Sequence, residues 1–360
     1  MFGPSMPQPP ASSGRSHRQS GESAYTRHML LLVPHLFPTA RLLETAAQDL
    51  HLPALQTLLA RGTRHPCAAD GVEAALCTAL GIVRQQDWPL APITLQADGG
   101  VPGKDYWLRA DPVHLRIMRD RIVLTDTRAL ELSQQEADAL ASTIGQHFGD
   151  ALQPLPLRPK RWYVRYARPP RLVTTPISVA TGRAIEPLLP QGDDATSCRA
   201  QLNELQMLLH EHPVNQAREA RGELPVNSLW LWGGGSQAAV PASRTQVYAC
   251  DEEARALGAF CGAPVHPLPT HLEQALLDTT GVVLLDQLTR AGACGDAYGW
   301  RETMRMLEND WFGPLLGALR TLGPQGLRLA DPVNGQALLL QAQDAWKIWR
   351  RPQPLNKSLA

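Results

Sequence analysis

Two short runs constrain this chain more than any other feature. Residues 29–37 read MLLLVPHLF and residues 281–285 read GVVLL. Continuous apolar stretches of this kind mark strands buried on both faces, and such strands belong to parallel sheets covered by helices. Helical patterns surround them. Residues 53–61 (PALQTLLAR) carry proline in the first turn, Leu55, Leu58 and Leu59 as an apolar face, and Gly62 as a stop. Helices are also predicted over 39–47, over 71–80 with Gly81 as its end, over 198–212 with Pro213 as its stop, over 252–261, and as one long run over 298–319. Strands are predicted over 226–232, 246–249, 326–329 and 337–340, with a further one in the tail that bears Trp346. This alternation specifies an α/β fold with a doubly wound, mostly parallel sheet.

From 87 to 194 the pattern changes. Proline, glycine and aspartate break the chain into short pieces such as 106–110 (YWLRA), two strands over 113–124 turning near Arg119 and Asp120, and the alternating 161–166 (RWYVRY). One helix is predicted at 133–148, where Ser133 and Glu136 have the spacing of a capping box. This stretch reads as a smaller inserted α+β subdomain. Residues 29–86 and 195–360 then form the main α/β domain, and residues 1–28, rich in Pro, Ser, Gly and Gln, form a disordered tail.

Composition excludes several classes. The 360 residues hold 34 Lys+Arg against 34 Asp+Glu, so the basic excess of a general nucleic-acid surface is missing. The six cysteines, Cys67, Cys77, Cys198, Cys250, Cys261 and Cys294, form no C-x-x-C pair and are expected to be reduced thiols. No stretch is long and apolar enough to be a signal core or a membrane span, so a cytoplasmic protein with no membrane partner is expected.

Three segments are candidates for chemistry. Residues 210–235 bring a helix end through His212, Pro213, Asn215 and Arg218 to a strand that runs into Gly233, Gly234 and Gly235. Glycines after a strand allow a ligand close to the backbone, and arginine pairs with phosphate or carboxylate. The same glycines equally suit a tight turn, and Trp230 and Trp232, which share a strand face, suit a core. In the second segment a strand delivers Asp286 to its C-terminal end, where open α/β sheets bind ligands, while Glu302, Glu308 and Asp310 read as solvated helix positions. In the third, Arg109, Arg116, Arg119 and Arg121 interleave with apolar residues, as in a basic groove or on the solvent face of a sheet.

The order of these segments resembles a known family. His212-Pro213-x-Asn215-x-x-Arg218, Gly222, Pro225-x-Asn227 and the strand ending in Gly233–Gly235 are similar to the H-P-x-N-x-x-R…G…P-x-N…G-x-G run of archaeal-type, cofactor-independent phosphoglycerate mutases. Arg109-Ala110-Asp111 is similar to that family's R-A-N segment, and the helix from Pro53 to its early T-P-x-L-x-x-L helix. The whole chain also resembles RpfE-type bacterial regulatory proteins, in which an L-W-x-W-G-G-G string is typical. The resemblance implies an alkaline-phosphatase-like fold and two-metal phosphoryl transfer at carboxylate and imidazole ligands, with a serine nucleophile.

The departures point elsewhere. The first strand ends in Val33-Pro34-His35-Leu36 without the early Asp-Gly, Gly71-Val72-Glu73 stands where a Gly-Ser nucleophile would, and the run after Asp286 lacks the His-rich loop. Asp331 is followed by Pro332, not His. The resemblance therefore implies a pseudoenzyme with no catalytic residues and no metal. Its expected role is regulatory, or the binding of a small phosphorylated or carboxylated metabolite through Arg109, His212, Asn215, Arg218, Asn227, Gly233, Gly234, Gly235 and Asp286. The alternative is an active phosphoglycerate mutase or phosphohydrolase using Mn, Mg or Zn, with Asp286, Asp296 and His35 as substitute ligands and Thr39, Cys77 or Thr78 as nucleophile.

Overall fold

The computed structural model describes residues 29–118, 121–241 and 243–359. The expected disordered tail and the turn at Arg119 and Asp120 lie outside them.

The strands are β1 (Met29–Leu32), β2 (Thr63–Pro66), β3 (Tyr106–Val113), β4 (Leu115–Met118), β5 (Arg121–Leu124), β6 (Pro154–Arg158), β7 (Arg161–Tyr166), β8 (Ser228–Gly235), β9 (Gln246–Tyr248), β10 (Val265–His266), β11 (Gly281–Leu284), β12 (Leu327–Asp331) and β13 (Gln336–Leu340). Seven of them form the large sheet, in the order β10-β9-β11-β1-β12-β13-β2. The first five run parallel, with β1 between β11 and β12, and β13 is antiparallel to both its neighbours. Alternate side chains serve opposite faces. Leu31, Val33 and Val283 pack with the helices Pro53–Arg61 and Ala297–Leu307, while Leu30, Leu32 and Val282 pack with Val72–Leu80 and Glu252–Phe260. The fold is thus mixed α/β around a mostly parallel sheet with helices on both faces.

The second sheet, β6-β7-β3-β8, is antiparallel, and β4-β5 is a separate hairpin. The strand over 226–232 was grouped above with the main sheet. It hydrogen-bonds instead to β3 across Ser228–Gly235. A buried apolar run does not carry the address of its sheet, and Leu229 and Leu231 find their partners under the helices Gln134–Phe148 and Ala195–His210. Trp230 and Trp232 point the other way, onto the face of the large sheet that carries Val72–Leu80. They clamp the two sheets together.

Three segments depart from the expected elements. Residues 90–97, expected as strand-like pieces, form a helix whose Leu90, Ile93 and Leu95 are buried. The tail around Trp346 is a 3-10 turn over Ala342–Trp346, not a strand. The long helix expected over 298–319 is interrupted by a π turn at Glu308–Phe312 just before Pro314. Glu308 there is buried, not solvated. Its carboxylate accepts from the N–H groups of Ala54 (2.6 Å) and Leu55 (3.0 Å), supplying the N-terminal cap that Leu52 cannot give the helix Pro53–Arg61. The capping box of Ser133 and Glu136 forms as expected.

Candidate functional site

Because β1, β9, β11 and β12 are parallel, their C-terminal ends share one edge. Against that edge lies a cleft of about 220 Å³. The large sheet contributes Asp251 after β9 and Asp286 after β11, and the N-terminus of the helix Val72–Leu80 contributes Glu73. Asp126, Arg128, Ser178 and Trp232 close it from the smaller unit. A crevice outside the carboxyl ends of parallel strands is where open α/β sheets bind ligands.

Glu73 forms the floor. It follows Gly71, whose φ of 96° lies in the left-handed region and whose missing Cβ would sit 2.7 Å from the Ser178 hydroxyl. That hydroxyl donates to Glu73 Oε2 at 2.5 Å. Burial pushes the Glu73 carboxyl up to about 7, with Ser178 opposing the shift. Asp251 caps the helix Glu252–Phe260, accepting from Ala254 N–H at 2.8 Å, and burial with the neighbouring Glu253 also pushes it up to about 7. The other acids face cations: Asp286 pairs with Arg128 at 3.3 Å, Asp126 faces Arg290 at 4.0 Å, and Glu253 lies 3.6 Å from Arg109. At neutral pH the cleft therefore holds ion-paired carboxylates on its walls and two partly protonated carboxyls, which can donate hydrogen bonds.

A folded-state acid raised above its unfolded value favours the folded state at low pH. Glu73 binds its proton in the folded chain from about 4.5 to about 7, so stability is fully present below the lower value and is lost as pH rises through the upper one. Between pH 5.5 and 8 the unfolding free energy is expected to fall by about 2 kcal/mol through this group. Glu73→Gln should flatten that slope in urea titrations at the two pH values.

Of the residues expected from sequence, only Asp286 lines the cleft. Arg109 is buried behind it, in a bidentate pair with Asp111 (3.0 and 2.8 Å) and against the rings of Tyr163 and Trp232. Its charge is neutralised within the protein. His212 caps the helix Pro213–Ala220 and contacts Thr143. Asn215 ties Leu209 O to both backbone groups of Val226, and Asn227 does the same for both backbone groups of Leu115. Arg218 bonds Leu224 O and Glu136 and lies 3.4 Å from Glu223. These five residues fasten the smaller unit; none of them lines the cleft.

The triple glycine is likewise not an open phosphate loop. A Cβ on Gly234 would stand 2.3 Å from the Tyr106 hydroxyl, and one on Gly235 2.6 Å from Pro89. Gly233 N–H donates to Thr174. Close packing against the 89–106 segment requires these glycines. Of the residues missed in the sequence, Glu73, Ser178 and Arg290 sit in the first turn of helices, Arg128 in a 3-10 turn, and Asp126 and Asp251 in loops just after strands. An acid just after a strand end was a usable signal only for Asp251 and Asp286.

The substitute metal ligands do not converge either. Asp296 caps the helix Ala297–Leu307. His35 is buried beside Gly292, and burial with Arg183 lowers its pKa to about 4. Asp331, at the end of β12, accepts from Phe37, Val333 and Asn334 N–H groups and from the Asn334 side chain. Among the described residues no three of His, Cys, Asp and Glu are grouped to hold a metal ion. The donor set does not fit a two-cation centre. Of the candidate nucleophiles, Cys77 is fully buried, the Thr78 hydroxyl donates to Ala74 O, and Thr39 is exposed at the start of the helix Ala40–Ala46, outside the cleft lining.

No family model matches the chain. The 2,3-bisphosphoglycerate-independent phosphoglycerate mutase of Methanothrix thermoacetophila is 41% identical over 69 residues, covering 19% of this chain and 18% of that one. A probable enzyme of the same name from Geobacter sulfurreducens is 31% identical over 134 residues, covering 36% and 33%. The matched stretches thus span a third or less of these relatives. Among solved structures, the cofactor-independent phosphoglycerate mutase of Thermoplasma acidophilum aligns over 88% of this chain and 89% of its own at 17% identity, with a TM-score of 0.43. A Pyrococcus horikoshii protein aligns over 92% of each chain at 14% identity and TM-score 0.45. The sheet and cleft define a mixed α/β protein with a crevice at the strand ends. Its sequence relationship is to the phosphoglycerate mutases.

Proposed function

We propose that this chain is a catalytically degenerate phosphoglycerate-mutase-like protein, of the kind represented by RpfE-type regulatory proteins, that binds a small phosphorylated or carboxylated metabolite without turning it over. The observation that carries this reading is the pair Glu73 and Asp251. Both carboxyls, pushed up by burial, line the strand-end cleft, and Glu73 directly follows Val72, which stands where the related enzymes' pattern calls for a nucleophile. Protonated, they donate hydrogen bonds to an anion. Arg128 and Arg290, half and three-quarters exposed and facing Asp286 and Asp126, present their remaining guanidinium N–H groups at the rim. This site replaces the one expected at Arg109 and Arg218.

The test is calorimetric titration with 3-phosphoglycerate at pH 6 and pH 8. Binding is expected at pH 6 and should weaken about tenfold at pH 8, as the carboxyls ionise. It should vanish in the Arg128→Ala/Arg290→Ala double variant. Equal binding by that variant would place the ligand elsewhere.

A further inference from the structure

The segment after β13 presents an unusual surface. Trp346, Ile348 and Trp349 are 62%, 74% and 72% exposed within four residues. Residues 341–359 carry four cations, Lys347, Arg350, Arg351 and Lys357, against a single acid, Asp344. That acid is buried and paired with Lys347 at 2.5 Å. Arg320 lies 4.6 Å over the ring of Trp346, adding a further cation to the patch.

The display is fixed in place. Asp344 closes a capping box with Gln341, and Ala345 is buried in the core of the large sheet. The end of the helix Pro53–Arg61 is tied to the segment twice, by Arg61 Nη1 to Ala345 O (3.2 Å) and by Lys347 Nζ to Arg61 O (3.3 Å). Packing holds the backbone while the aromatic and aliphatic side chains point to solvent.

From this geometry we infer that the 346–351 segment is a docking surface for an anionic membrane. Indole rings settle at the headgroup level with one polar edge in water, and an exposed isoleucine gains from reaching the acyl boundary. Arginines beside them meet anionic headgroups. Ile348 decides between this partner and single-stranded nucleic acid, because an aliphatic side chain gives bases nothing to stack on. Among the described residues no helix is long and apolar enough to cross a membrane, and surface adsorption requires none. The expectation of no membrane partner rested on spanning alone.

The test is flotation of the full chain with vesicles of phosphatidylcholine, alone or with one-quarter phosphatidylglycerol. Partitioning is expected onto the anionic vesicles only, falling with added salt. Ile348→Ser/Trp349→Ser and Arg350→Glu/Arg351→Glu should each reduce it about tenfold or more, at unchanged melting temperature. The inference is overturned by absence of flotation, or by flotation that both double variants retain. It is overturned equally by a concentration-dependent dimer that Ile348→Ser/Trp349→Ser abolishes, which makes a second copy the occupant, or by tighter retention of a single-stranded oligonucleotide than of vesicles. No residue of the strand-end cleft enters this test, so its outcome is independent of the proposed ligand site.

Discussion

Arg109→Met is expected to lower the unfolding free energy by about 3–5 kcal/mol, the cost of stranding one member of a buried ion pair. The guanidinium is 2% exposed and meets Asp111 through two hydrogen bonds. Asp111 is itself buried, and it also accepts from the Trp162 backbone N–H and the Trp232 indole. Burial raises the Asp111 pKa and Arg109 lowers it in turn, so loss of the arginine leaves a carboxyl with desolvation unopposed by any full charge. The consequence reaches past one strand, because Trp232 joins the smaller sheet to the core of the large one. Adding Asp111→Asn to Arg109→Met removes the stranded charge and keeps an amide for the indole. The double variant should recover about half of the loss in urea unfolding, since neutral pairs cost less to bury than an orphaned ion. A double variant no more stable than the single one would show that the charge is not the cause. An Arg109 that served a ligand would instead leave stability nearly untouched.

Asp331→Ala should cost about 3 kcal/mol or more. Its carboxylate accepts from Phe37 N–H (3.0 Å), Val333 N–H (3.0 Å), Asn334 N–H (3.2 Å) and the Asn334 side chain (3.1 Å). Phe37 and Val333 are buried, so deleting the acceptor leaves donors with no water to replace it. The loop after β1 and the loop after β12 would lose their common tie. Hydrogen exchange should therefore accelerate at the Phe37 and Val333 amides before it does in the strands. Asp331→Asn, which retains one acceptor oxygen, is expected to lose about half as much. Unchanged protection at Phe37 would contradict this role for Asp331.

Much of the fold was legible because burial on both faces leaves a plain mark. The runs at β1 and β11 read as buried strands and form them, and Pro53, Gly62, Gly81 and the Ser133–Glu136 pair punctuate helices by local chemistry. The pairing of β8 was not legible, since an apolar strand looks alike in either sheet. The π turn at Glu308 was hidden by apolar periodicity that continues through it.

The site was less legible for a related reason. Arginine in a strand reads the same whether it faces solvent, ligand or a buried aspartate, and only Asp111, two residues on, separates those cases. In the segment similar to the mutases' H-P-x-N-x-x-R run, Asn215 and Arg218 hold backbone carbonyls, and neither lines the cleft. Glu73 was visible only as the residue after Val72, which stands in the nucleophile's place, because its setting depends on Ser178, which lies more than a hundred residues along the chain.

We propose that this scaffold has exchanged phosphoryl chemistry for binding. The most direct test is to incubate the metal-stripped protein with 3-phosphoglycerate and added Mn²⁺, Mg²⁺ or Zn²⁺ and to follow the phosphorus resonances. Neither 2-phosphoglycerate nor inorganic phosphate is expected above the protein-free rate with any of the three ions. Either product, formed at a rate proportional to protein and dependent on the metal, would contradict the proposal.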